Sequence, residues 1–190
     1  MTEVVYHIAV TTDLFIADKN GVADESVFLY ADDGGDFFES VRGYHAVLMG
    51  RKTYEYGFQY GLKPGELSGI AQAVNPELKH YIFSNQLDFE SNEQVELVKE
   101  DAVSFCKRLK QETSDQPKKI WLCGGGELAG KLLDHQLIDT LILKINPIII
   151  GEGIPLFGYS KQKINLKLTD IKTYESGVIV PTYQILYSKL

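Results

Sequence analysis

Two short segments of this chain carry residue types suited to binding phosphate groups. In the first, Gly50 is followed by Arg51, Lys52 and Thr53, which add two cations and a hydroxyl to a flexible backbone position. An arginine guanidinium can donate two parallel hydrogen bonds to a phosphate, and glycine lets a ligand approach the main chain. Because an apolar strand precedes this segment and a helical turn follows it, we expect its backbone N–H groups to face an anion.

The second segment is a run of three glycines, Gly124, Gly125 and Gly126, followed by Glu127 and Leu128. An apolar, strand-like run precedes the glycines, and a helical pattern of leucines follows them. Free N–H groups and the positive end of the dipole at a helix start suit a phosphate. The pattern therefore indicates a second anion site at a strand-to-helix junction.

A P-loop is the first familiar motif to test against the glycine run. Gly125, Gly130 and Lys131 match the glycine and lysine positions of that motif. Leu132, however, stands where a serine or threonine hydroxyl should bind magnesium, and Glu127 adds a negative charge to the loop. We therefore reject the P-loop.

A Rossmann dinucleotide fingerprint is the second motif to test. Gly124, Gly126 and Ala129 fit its glycine spacing. The fingerprint needs an acid at the end of the next strand for the ribose hydroxyls, and that strand ends Lys-Ile-Asn-Pro at 144–147. The Rossmann interpretation is weak.

A bipartite site is the third interpretation, and it uses both segments. The glycine run would hold a pyrophosphate, and Arg51 would bind a terminal phosphate such as the 2′-phosphate of NADP. Taken alone, each segment also fits a simpler structure, since three glycines can form a tight turn and Arg51 and Lys52 can be solvated surface cations. Together, at two strand-to-helix junctions, they favour a nucleotide site.

The elements that position these segments follow from the apolar patterns. The predicted strands are 4–10, 46–49, 80–83, 93–98, 120–123 and 138–145, and the predicted helices are 36–41 and 101–111, with another after the glycines. The segment 57–76, which is rich in glycine and holds two prolines, is predicted to be an irregular loop. The segments 164–168 and 178–187 alternate and predict a C-terminal hairpin. Strands that alternate with helices indicate an α/β fold with a mixed sheet.

Length, charge and cysteine content limit the classes of protein to which this chain can belong. A chain of 190 residues predicts one domain over residues 1–190, and a net charge of -7 argues against a nucleic-acid binder. The two cysteines have no metal-binding or disulfide spacing, so no metal site is expected. The chain opens without a signal-peptide pattern and has no stretch long enough to span a membrane, which predicts a cytoplasmic location without a membrane partner.

Several segments, in order along the chain, carry a resemblance to a known family. They are VLMGRKTYE at 47–55, IWLCGGGEL at 120–128, LIDTL at 137–141, Pro147, GEG at 151–153 and PLF at 155–157. On these residues the chain resembles the dihydrofolate reductase-like superfamily, and most closely the C-terminal reductase domain of the bacterial riboflavin-biosynthesis deaminase–reductase. The resemblance implies a twisted, mostly parallel sheet of about eight strands, flanked by helices and ending in an antiparallel hairpin.

The resemblance also implies NADPH as cofactor, and it assigns residues to each part of that molecule. For the phosphates, including the 2′-phosphate, they are Gly50, Arg51, Lys52 and Thr53. For the adenosine end they are Ser84 and Asn85, and for the pyrophosphate Gly124, Gly125, Gly126, Glu127 and Leu128. Ile8 and Ala9 would contact the nicotinamide through their backbone, and a cis peptide bond often joins two of the glycines in this family.

Three acids are candidates for a substrate-side or catalytic role. Folate reductases carry an acid four residues before a phenylalanine, and Asp33 stands in that relation to Phe37, with Asp36 close by. The related reductases usually show Ser-Leu-Asp-Gly after strand one, where this chain keeps the acid as Asp13 but has Leu14 in place of the glycine. These carboxylates could anchor a substrate ring or assist protonation, and those near the helix start fit equally well as helix caps.

The sequence therefore predicts an NADPH-dependent oxidoreductase that transfers a hydride to a small heterocyclic, pterin- or pyrimidine-like, or carbonyl substrate. The alternative is a non-catalytic, nucleotide-binding relative of the reductase fold. A homodimer is also expected, from exposed strand edges and from the relatives.

Overall fold

A computed structural model describes residues 2–28, 34–111 and 118–187. Its strands are β1 (Glu3–Thr11), β2 (Phe15–Ala17), β3 (Ala46–Gly50), β4 (Lys79–Phe83), β5 (Val95–Val98), β6 (Lys119–Gly124), β7 (Thr140–Asn146), β8 (Ile154–Pro155), β9 (Asn165–Thr173) and β10 (Ile179–Leu186). Its α-helices are α1 (Gly34–Arg42), α2 (Arg51–Glu55), α3 (Gly69–Val74), α4 (Ala102–Gln111) and α5 (Gly126–Asp134), and a 3₁₀ helix covers Tyr56–Tyr60.

One sheet of eight strands has the order β5-β4-β3-β6-β1-β7-β10-β9. The six strands from β5 to β7 in this order are parallel, whereas β10 runs antiparallel to both β7 and β9. Strands β2 and β8 form a separate antiparallel pair. The mixed, mostly parallel α/β sheet and its C-terminal hairpin confirm the predicted fold class.

Helices cover both faces of the sheet because its central strands are apolar on both sides. On one face, Phe105 and Leu109 of α4 and Leu132 of α5 pack against buried residues of β1, β3 and β6. On the other face, Val41 of α1 and Tyr54 of α2 pack against the opposite side of those strands, together with Ala71 of α3. We refer to the second as the α1 face.

The prediction of an irregular loop at 57–76 was wrong in part, since this segment holds most of the 3₁₀ helix and all of α3. Both elements are short, so their apolar periodicity was too brief to detect. The buried Tyr54 side chain orders the connection: its hydroxyl donates to the Glu66 carbonyl at 2.7 Å and accepts the Gly65 N–H at 3.0 Å. Tertiary packing, rather than local propensity, fixes this segment.

The motif rejected as a P-loop lies inside a helix. Gly130 and Lys131 belong to α5, and a Cβ atom at Gly130 would lie 2.2 Å from the Phe157 carbonyl oxygen. The Lys131 ammonium pairs with Asp101, which caps α4 by accepting the Ser104 N–H at 3.0 Å. These residues therefore join α5 to its neighbours instead of forming a phosphate loop. Within the described ranges, every helix is too short or too polar to cross a membrane.

Candidate active site

The carboxyl ends of β1, β3, β4, β6 and β7 meet at one edge of the sheet because these strands are parallel. Ligand sites of open α/β sheets lie at this edge. The predicted cofactor segments at 50–53, 84–85 and 124–128 lie at or after the ends of β3, β4 and β6, and Ile8 and Ala9 lie near the end of β1 itself. The topology therefore brings the predicted cofactor residues to one edge of the sheet.

The two glycine segments touch each other. Met49 pairs with Gly124 between β3 and β6, and a Cβ atom at Gly50 would lie 3.5 Å from the Gly125 nitrogen. The Thr53 hydroxyl lies 3.4 Å from the positions that Cβ atoms would take at Gly124 and at Gly125. The peptide bond between those two glycines is cis, as the resemblance implies. The backbone of the three glycines at 50, 124 and 125 thus forms a narrow seam between the starts of α2 and α5.

Gly126 differs from the other two glycines. A Cβ atom here would lie 2.2 Å from the Pro155 carbonyl oxygen and 3.1 Å from the Gly158 nitrogen. The segment 155–158 therefore lies directly on the first turn of α5 and needs glycine beneath it. Of the predicted cofactor contacts, Gly126 is buried, whereas Glu127 beside it is exposed and Leu128 packs partly against the core.

Strands β1 and β6 separate next to this seam. Their pairing ends at Tyr6 and Leu122, while β1 continues to Thr11 along β7. Beyond the separation, the Trp121 indole N–H donates to the His7 carbonyl at 2.9 Å. Ile8 follows directly, and its Cδ1 atom lies 3.5 Å from the Cβ position of Gly124. The Ile8 side chain therefore lies beside the glycine seam, just past the point at which β1 and β6 separate.

The cations of the first segment lie at the start of α2. The Arg51 Nη1 atom contacts Glu55 Oε2 at 2.6 Å, and both side chains are about one-third exposed (32% and 31%). Lys52 is exposed, and Thr53 faces the seam. The Thr53 hydroxyl is therefore placed against the glycine backbone, with Arg51 two residues before it in the first turn of α2.

Ser84 and Asn85, predicted at the adenosine end, follow β4. The Ser84 hydroxyl oxygen accepts the N–H groups of Gln86 and Leu87 at 3.0 and 2.9 Å, so it shapes the turn itself. Asn85 is exposed on this turn. The turn lies beside the end of β3, and so beside Arg51, because β3 and β4 are neighbours.

Asp13 and Asp36, the two candidate acids within the described residues, lie on different elements and bind different partners. Asp13 accepts the Gly151 N–H at 2.8 Å, and hydrogen bonding by the Thr11 hydroxyl is the main cause of its lowered pKa. Asp36 lies on the exposed side of α1, where the Tyr174 hydroxyl and then Lys172 lower its pKa. Asp33 lies outside the described residues. A lowered pKa keeps Asp13 and Asp36 ionised at neutral pH, which favours anchoring over proton donation.

Sequence reasoning missed a group of aromatic rings on the α1 face, near the point at which β1 and β6 separate. The His7 Nδ1 atom lies 3.0 Å from the Tyr44 hydroxyl, and the Phe37 ring meets the His7 ring edge to face with centroids 5.0 Å apart. Tyr44 stacks on Trp121. Burial lowers the pKa of His7 to about 4, so its ring is neutral near pH 7. These rings form an aromatic wall on the same face of β1 as Ala9.

Lys144 was also missed. It is 8% exposed and pairs with Ala9 across β1 and β7, and strand alternation turns it away from Leu143 and Ile145 towards the α1 face. A signal was available, because Lys144 is a charge within the apolar run of β7. Lys144 is therefore a buried basic residue on the same face of the sheet as Ala9.

Comparisons with known proteins agree with this geometry. Residues 2–180 match the family model of the RibD C-terminal domain. The chain is 32% identical over 187 residues to the uncharacterized protein YyaP of Bacillus subtilis strain 168, covering 97% of this chain and 93% of that one.

Two solved structures share the fold. A riboflavin biosynthesis protein from Shewanella sp. PV-4 superimposes with a TM-score of 0.73 at 22% identity, covering 98% of this chain and all (100%) of that one. The deaminase/5-amino-6-(5-phosphoribosylamino)uracil reductase of Thermotoga maritima gives a TM-score of 0.67 at 16% identity, covering 97% of this chain and 57% of that one.

Proposed function

Because this chain belongs to the RibD C-terminal domain family, we propose that it is an NADPH-dependent reductase of a small heterocyclic or carbonyl substrate. The observation that carries the proposal is the seam at which Gly50 and Gly125 meet, with the Thr53 hydroxyl against it. A side chain at these positions would fill the space that a pyrophosphate needs, so the residues present fit the cofactor. A pterin- or pyrimidine-like ring is the preferred substrate class, in keeping with the name of the Thermotoga protein.

Each part of the cofactor has a group of residues to hold it. Arg51, with Lys52 beside it, would bind the 2′-phosphate, and the turn at Ser84 and Asn85 would face the adenosine. The pyrophosphate would lie over the glycine seam and the start of α5, where backbone N–H groups of Gly126, Glu127 and Leu128 begin the helix.

On the reacting side, the bound cofactor would supply the hydride. The Ile8–Ala9 backbone would orient the nicotinamide, and the wall of His7, Phe37 and Tyr44 would exclude water from one side. Lys144, buried on the same face as Ala9, would stabilise negative charge on the substrate. Roles for Asp13, Asp33 and Asp36 remain predictions.

The first test is direct binding. NADPH at about 100 times its Kd should add about 2.7 kcal/mol to the free energy of unfolding, seen as a higher melting temperature, with a saturable change in cofactor fluorescence. NADH at the same concentration should have a smaller effect. Absence of any response at millimolar NADPH would contradict the proposal.

A non-catalytic nucleotide-binding protein is the second candidate, favoured by the structural hydrogen bonds of Asp13 with the Gly151 N–H and of Asp36 with the Tyr174 hydroxyl. The two candidates differ in turnover. NADPH oxidation in the presence of pterins, pyrimidine ribosyl compounds or simple carbonyls would identify a reductase. Tight NADPH binding without oxidation across these three classes would favour the second candidate.

We also propose a homodimer formed through β9. This strand is at the edge of the sheet and exposed along its whole length. Leu166, Leu168 and Ile171, which pair with alternate residues of β10, present one apolar stripe. Long apolar edge strands are uncommon in monomers, and two antiparallel copies of an edge strand pair with twofold symmetry.

Sedimentation at micromolar concentration should therefore give a dimer, and Leu168→Lys should give a folded monomer, since Leu168 is 50% exposed and lies outside the core. Ile149→Lys, which changes an exposed apolar residue away from β9, is the matched control. A monomeric wild-type protein would overturn the β9 interface.

A further inference from the structure

Glu55 contacts the arginine on which the proposed cofactor preference depends. The two residues are one helical turn apart on α2, and Arg51 Nη1 lies 2.6 Å from Glu55 Oε2. A charge-assisted hydrogen bond of this length is stronger than a neutral one. With each side chain about two-thirds covered (32% and 31% exposed), the pair is better ordered than a surface ion pair.

The order of the two charges is unfavourable for the helix. A helix is stabilised by an acid near its N-terminus and a base near its C-terminus, and a basic residue four positions before an acid is the weaker arrangement. Arg51 is the first residue of α2 and Glu55 the last. Helix stability therefore does not explain the pair.

We propose that Glu55 is a positioning residue that sets the preference for NADPH over NADH by holding the Arg51 guanidinium in place for the 2′-phosphate. This inference rests on the proposed function. A guanidinium has five N–H donors in a fixed plane. Glu55 accepts a hydrogen bond from the Nη1 atom of Arg51, which is the only side-chain hydrogen bond of Arg51 among the described residues. The other N–H donors of the guanidinium can therefore bind a phosphate.

Positioning outweighs competition between the carboxylate and the phosphate for two reasons. Both side chains are partly exposed, so water and salt screen the repulsion between the two anions. The same screening does not free the arginine side chain from its contact with Glu55. An arginine side chain that is fixed before binding loses less conformational entropy when the phosphate binds.

The experiment measures NADPH and NADH affinities for the full chain carrying Glu55→Ala, Glu55→Gln, Arg51→Ala, or Glu55→Ala with Arg51→Ala. Alanine is the best helix former, so Glu55→Ala keeps α2 folded, which its melting temperature checks. The matched control is Glu39→Ala, which removes the acid of the exposed Arg42–Glu39 pair on α1.

Glu55→Ala should weaken NADPH binding about three- to tenfold, the cost of ordering one long side chain on binding. NADH affinity should not change. Glu55→Gln, whose amide oxygen can still accept from Arg51, should restore most of the NADPH affinity. In the Arg51→Ala background, Glu55→Ala should have no further effect, because the coupled partner is gone.

Three results would overturn the inference: Glu55→Ala that binds NADPH as tightly as the wild type, a parallel loss of NADH binding, or the same loss in the Glu39→Ala control. Failure of the proposed function looks different, because the wild type would then bind NADPH no better than NADH. If the preference of the wild type for NADPH over NADH depends on Arg51 but not on Glu55, the inference is wrong and the proposed function still stands.

Discussion

Gly126→Ala should cost about 3 kcal/mol of the free energy of unfolding or more, because overpacking against fixed backbone cannot be relieved by a rotamer change. The new methyl group would lie 2.2 Å from the Pro155 carbonyl oxygen and 3.1 Å from the Gly158 nitrogen, both backbone atoms. Either α5 or the segment 155–158 must move. Urea unfolding of the purified variant measures the loss.

Three other glycines provide controls for this prediction. Gly130→Ala meets the Phe157 carbonyl oxygen at 2.2 Å and should be about as damaging. Gly69→Ala, at the exposed start of α3 with nothing within 4 Å, should be neutral or slightly stabilising. Gly125→Ala, with the Thr53 hydroxyl at 3.4 Å, should fold but bind NADPH poorly. A Gly126→Ala protein as stable as Gly69→Ala would show that 155–158 does not lie on α5.

Arg51→Ala should weaken NADPH binding about 10- to 100-fold, since hydrogen bonds between charged groups contribute about 1.5–3 kcal/mol. NADH lacks the 2′-phosphate and should bind as it does to the wild type, so the ratio of the two affinities should fall by the same factor. Parallel fluorescence titrations with the two cofactors give that ratio.

Arg42→Ala is the matched control for this substitution. It removes an exposed arginine that is paired with Glu39 at the end of α1, and it should leave both affinities unchanged. An equal loss of NADPH and NADH binding in Arg51→Ala would contradict the 2′-phosphate role and assign Arg51 to the part that the two cofactors share.

Local patterns were sufficient to predict the eight strands of the main sheet and the longer helices, but not the short pair β2 and β8. The run at 4–10 became β1, and the glycine run became the junction between β6 and α5, because apolar periodicity and glycine at a turn act over a few residues. The same patterns failed at 57–76, where the Tyr54 hydroxyl organises two short helices through contacts with Gly65 and Glu66. Contacts of this kind leave no periodic signal.

The structure also shows that the three glycines at 124–126, which look equivalent in the sequence, have different surroundings. Gly124, Gly125 and Gly126 are identical in type, yet the first two face Thr53 across the seam and the third lies under Pro155. Lys144 likewise became a candidate only once the pairing of β7 with β1 placed it beside Ala9. Which glycine serves a ligand and which serves packing depends on what lies opposite each one.

By itself, the sequence determined the fold class, the family resemblance and two phosphate-type segments, because these depend on residue type and short spacing. Only the tertiary structure decided that the two segments meet, since Gly50 and Gly125 are far apart along the chain and come together through the pairing of β3 with β6. It also decided that β1 separates from β6 beside them and that Glu55 holds Arg51. The physical reason is that strand pairing and side-chain packing act between residues distant in sequence, and those contacts create the site.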